Sequence, residues 1–178
     1  MRRFLKFAHT LGAIGMMGAL ACLLALLWFA PPPAAPEGYA AARAGMGAVA
    51  KWVFMPSLGL TLIAGLLAIA ASPAFHNAGW AWLKAATGIL LFESGFVGVL
   101  GPMEREAARS AKVFAGESVA SLAPLFSSER NVLIVLFLLS VANVVLGVWR
   151  PRLVRRAQAA AELESAHGRD SVGKAESL

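Results

Sequence analysis

A single cysteine, Cys22, occurs in the 178 residues. That excludes an internal disulfide framework and leaves Cys22 as a small packing residue in an apolar run. Signatures of soluble enzymes are missing as well. There is no internal repeat, no Walker loop, no GxGxxG, no zinc-type Cys/His spacing and no Ser/His/Asp arrangement. Polar residues are too scarce for a soluble domain of this length, because 58% of the chain is hydrophobic and its mean hydropathy is +0.68. The formal net charge of +6 does not indicate nucleic acid. The basic residues sit beside apolar runs, as membrane orientation signals do.

What the chain does contain is four apolar runs, at about residues 4–30, 46–71, 79–100 and 131–149. A membrane-spanning helix needs about 20 such residues. The first run exceeds the apolar core of a signal peptide, roughly 7–15 residues, and is read as an uncleaved helix. Ala19-Leu20-Ala21-Cys22 resembles a lipoprotein cleavage box with its first two residues in the wrong order. Pro31-Pro32-Pro33-Ala34-Ala35-Pro36 stops the first helix in a stiff loop. Pro56 predicts a kink near Lys51 to Trp52, and Lys51 can reach the headgroups. Gly101-Pro102 is expected to end the third run. A short surface helix, Met103 to Lys112, follows, and Ser128 is expected to cap the fourth span.

Arginines 150, 152, 155 and 156 close the fourth run, and Arg2, Arg3 and Lys6 precede the first. Both ends are therefore expected in the cytoplasm. The expected fold is an all-α integral membrane four-helix bundle, N-in and C-in, with a polar outer loop and a basic cytoplasmic tail. Residues 1–150 form the bundle. Residues 151–178 form the tail, basic and then polar, and partly disordered.

Ionisable groups within the spans are candidates for function, because each is costly in lipid. His9 lies about one turn into the first helix. It reads either as a histidine bonded to a neighbouring backbone group or as a haem ligand, with Gly12, Ala13 and Gly15 leaving room for a porphyrin. Lys84, behind the Trp80/Trp82 belt, either snorkels to the interface or faces a polar pocket shared with His9. In such a pocket it could bind a carboxylate or carry a proton. Met16 is two turns from His9 on the same face. It reads as packing, or as the thioether best placed to serve as a second ligand. Glu93 is about half a turn from Lys84 in azimuth, so the two face different neighbours. It could serve a proton path or bond to Thr61 or Asn143. His76 is expected to be solvated in a turn.

Three short motifs, Lys6-Phe7-Ala8-His9, Met55-Pro56-Ser57-Leu58-Gly59-Leu60-Thr61 and Gly79-Trp80-Ala81-Trp82-Leu83-Lys84, fall in order on the first three spans. Together they resemble the HemJ-type membrane proteins of haem biosynthesis and a related group of small, uncharacterised integral membrane proteins. The resemblance covers roughly the first half of the chain. It implies a helical membrane protein that binds haem b and oxidises protoporphyrinogen IX, with His9 as haem ligand and Lys84 as a pocket or catalytic residue. The chain departs from the HemJ pattern after His9. Ile14 to Leu20 replaces a tryptophan-containing run, and no arginine closes the first helix. The closer likeness is to the uncharacterised group, which implies a fold but no activity.

Three functional expectations follow. The first is a haem-associated redox protein of the bacterial cytoplasmic membrane with a porphyrin-type ligand. The second is a cofactor-free membrane subunit or scaffold, and the third a small proton-coupled transporter with Pro56 as hinge and Glu93 as carrier. The bilayer is the expected surrounding, and the frequent small residues leave room for a homo-oligomer.

Overall fold

The computed structural model describes residues 2–76, 78–114 and 126–149. The tail 151–178, Arg150 and residues 115–125 of the polar loop lie outside the described residues, as does the side chain of His76.

All regular structure among the described residues is helical, and four helices are long and apolar enough to cross a membrane. Helix α1 is Arg2–Phe29. The second span joins α2 (Pro36–Val49), a π turn (Ala50–Phe54) and α3 (Met55–Ala70) into one rod. A short α4 (Pro73–His76) leads to the third rod, built from α5 (Gly79–Gly95), a second π turn (Phe96–Leu100) and α6 (Gly101–Phe114). Helix α7 (Phe126–Trp149) is the fourth. Neighbours in the chain are neighbours in space: α1 packs on α3, α3 on α5, α5 on α7, and α7 back on α1. This closes a ring of four spans around one core.

Three sequence expectations are corrected here. The second helix begins at Pro36, not near Met46, because proline is tolerated at the first position of a helix, where its missing N–H has no partner to lose. Gly101-Pro102 does not end the third helix. The Gly101 N–H reaches back five residues to the Phe96 carbonyl, and that π turn shifts the hydrogen-bond register just where Pro102 has no N–H to give. The same device precedes Pro56, where the Met55 N–H bonds to the Ala50 carbonyl. The distortion thus falls on the expected segment, as a π turn. Ser128 also departs from expectation, since α7 already starts at Phe126 and Ser128 lies within its first turn.

The second and third rods hold continuous helices of 35 residues (Pro36–Ala70) and 34 residues (Gly79–Lys112), each about 50 Å long, against a hydrocarbon core of about 30 Å. The excess, α2 and α6, packs side by side at one end of the bundle. The middle of the bundle is apolar, with Leu20, Leu23, Phe54, Leu58, Leu91, Leu133 and Leu136 buried together. The outer surface is apolar too: Phe7, Ile14, Trp52, Ile63, Leu90, Val97 and Val135 are exposed. A surface of this kind suits lipid, not water. The molecule is a multi-pass α-helical membrane protein.

Candidate functional site

Polar side chains collect at the two ends of the bundle, with the apolar core between them. The first cluster belongs to the end formed by the start of α1, the end of α3, the start of α5 and the end of α7. Here α1 and α3 approach closely because Gly12 and Gly15 have no side chain. A Cβ on Gly12 would stand 2.8 Å from the Ser57 carbonyl oxygen, and one on Gly15 would collide with the Ser57 hydroxyl. The space beside His9 that the sequence offered to a porphyrin along Gly12 and Gly15 is therefore filled by Ser57 and Thr61.

The close approach sets the state of His9. Its Nδ1 lies 2.8 Å from the Thr61 carbonyl oxygen, and its ring rests on Gly65, where a Cβ would come within 3.2 Å of Nδ1. A carbonyl oxygen can only accept, so Nδ1 carries the hydrogen and donates it. In a neutral imidazole, Nε2 then holds the lone pair. The Thr61 hydroxyl is already used, donating to the Ser57 carbonyl at 2.7 Å.

Lys84 is half-buried at the same end of the bundle, within electrostatic reach of His9. Its ammonium leans toward α7 and rests on Gly147, where a Cβ would be 2.6 Å from Nζ. One turn back on the same side of α7 is Asn143, whose Oδ1 is buried with no hydrogen-bond partner among the described residues. The structure thus brings together His9, the Thr61 carbonyl, Lys84 and the Gly147/Asn143 face of α7. It does not bring Met16 to them. Met16 is two turns further along α1, 5% exposed, and packed among Leu20, Leu23 and the rest of the apolar core. Glu93 is exposed; of its two readings, the bond to Thr61 or Asn143 is not formed, since the Thr61 hydroxyl donates to the Ser57 carbonyl and the Asn143 Oδ1 has no partner among the described residues.

The second cluster, at the α2/α6 end, was not anticipated. Arg43 is 0% exposed. Its Nε donates to the Tyr39 hydroxyl at 3.1 Å, and its Nη1 donates to Glu129 Oε2 at 2.7 Å. Glu129, 5% exposed, enters from the first turns of α7. Tyr39 and Met46 of α2, which touch Arg43, are buried, as are Glu106 and Ser110 of α6. Arg109 donates to Glu106 at 2.8 Å, an i,i+3 ion pair within α6. Lys51 forms an exposed ion pair with Glu104 at 3.0 Å. In the sequence, Arg43 reads as a basic residue flanking a span and Glu129 as the start of a helix. Each lacks an oppositely charged residue three or four positions away, but so do Lys84 and Glu93, so no local signal joins the two.

Comparison with family models, with curated proteins and with solved structures finds no match. The resemblance in the first three spans rests on its three short motifs.

Proposed function

We propose that the chain is a haem-associated redox protein of a bacterial cytoplasmic membrane, with both termini in the cytoplasm and the His9 end of the bundle on that side. The observation that carries this reading is the His9–Thr61 hydrogen bond. A histidine that binds metal through one ring nitrogen usually donates the other N–H to a carbonyl or carboxylate, which fixes its tautomer and its plane. His9 has that arrangement and would offer Nε2 to the iron of a haem, so the residues present fit a haem-ligating histidine. Haem, when bound, supplies one-electron chemistry. The part played by Lys84 is to bind a carboxylate edge of the ligand or to hold a proton near it. Since the Gly12/Gly15 groove is filled, a porphyrin must approach His9 from another side. Met16 stays a packing residue in this reading. Oxidation of a porphyrinogen-type substrate is its specific form.

A proton-coupled transporter is less well supported, because a path from one polar end to the other must cross the buried leucine and phenylalanine layer. The test is the absorption spectrum of protein purified in detergent from haem-supplied cells. The reading predicts a Soret band that His9→Ala abolishes and Met16→Leu retains. Colourless native protein would leave the cofactor-free membrane subunit as the better account.

A further inference from the structure

Glu93 stands in the middle of the third span, about 21 Å along the helix from Gly79, on a surface that is otherwise hydrocarbon. It is exposed, and no hydrogen bond or ion pair is made to it by the described residues. Lys84, the basic residue nearest to it on α5, points the other way, into the bundle and toward Gly147. An ionisable group at this depth is costly against lipid and is usually met by a partner.

The residues around Glu93 say what that partner is. Leu83, Ala86, Leu90, Glu93 and Val97 are all exposed. Along α5 the spacings of three, four and three from Leu83 to Glu93 suit the contact seam between two helices wound in a left-handed pair, and Val97 lies in the π turn just beyond. Copies of one chain insert in a membrane in the same sense, so the axis relating two of them runs along the membrane normal. Two α5 helices meeting across that axis are parallel, and each seam residue faces its own copy. Most polar groups are poor partners for themselves. A carboxyl in its acid form is an exception, being both donor and acceptor, and the uncharged form is the one that hydrocarbon tolerates. Ala86, seven residues before Glu93 on the same seam, lets the helices come close.

We propose that the exposed Leu83–Glu93 stripe of α5, continued by Val97 of the following π turn, is the interface of a homodimer, with the two Glu93 carboxyl groups hydrogen-bonded to each other across the two-fold axis. A single polar seam position also fixes register and stoichiometry, because any slip leaves a carboxyl in lipid.

Disulfide cross-linking in native membranes tests this. In a Cys22→Ala background, Leu90→Cys and Val97→Cys should each form a cross-linked dimer on oxidation, and Leu66→Cys, on the exposed side of α3, should not. Added to Val97→Cys, Glu93→Leu should weaken association about tenfold (about 1.4 kcal/mol), read as cross-linked fraction against lipid dilution. Glu93→Gln, whose amide also donates and accepts, should keep it. Equal cross-linking from Leu66→Cys and Val97→Cys, or association unchanged by Glu93→Leu, would overturn the proposal. Haem content is not part of the readout, so the outcome is separate from that of the haem reading.

Discussion

Gly147 and Gly65 are small so that two polar side chains can lie against bare backbone. At Gly147 the occupant is the Lys84 ammonium, 2.6 Å from where a Cβ would be. Gly147→Ala must displace it, and unfolding measurements in detergent should show a loss of about 1–3 kcal/mol, the usual cost of overpacking. Combined with Lys84→Ala, the same substitution should cost much less than the sum of the two single changes, since the clash has lost its second partner. Gly12 faces main-chain atoms, the Ser57 carbonyl and the Thr61 N–H group, both at 2.8 Å. These cannot swing aside as a lysine can. Gly12→Ala should therefore force α1 and α3 apart, lower stability by at least as much, and loosen the His9–Thr61 bond along with it.

Among the elements, the long rods need the most explanation. Each runs through a proline without stopping, and each does so by a π turn that shifts the hydrogen-bond register beside it. Their extensions, α2 and α6, would be an appendage held by one packed face were it not for Arg43 reaching Glu129 on α7. Breaking a buried pair from one side strands the other charge and costs about 3–5 kcal/mol. Arg43→Ala and Glu129→Ala should each destabilise by that order and expose α2 and α6 to protease before the rest of the bundle. The double replacement Arg43→Met with Glu129→Leu should be milder than either single change, because no charge is left buried. A double variant as unstable as the single ones would mean that the pair does more than satisfy itself.

Over the whole molecule, the four spans and their order were legible because a bilayer imposes its thickness on the sequence. A run of apolar residues near 20 has few other uses. The depth of His9 and Lys84 could be counted from the same runs, and so could the opposition of Lys84 and Glu93 around α5. What could not be counted was contact between spans. Apolar residues cover the whole circumference of these helices, so the pattern does not say which side faces inward. Arg43 and Glu129 are 86 residues apart, and nothing local to either names the other. The room beside Gly12 and Gly15 was misjudged for the same reason: a glycine pair signals close approach but not what approaches. Here it is α3, bringing the Thr61 carbonyl that orients His9.

That orientation is the point on which the functional account turns, and nitrogen-15 NMR of protein labelled at its three histidines reads it directly. The resonances of His9, assigned by their loss in His9→Ala, should show a singly protonated ring with the hydrogen on Nδ1 and a bare Nε2 whose signal shifts when haem is added. A hydrogen on Nε2, or an Nε2 signal indifferent to haem, would contradict the account.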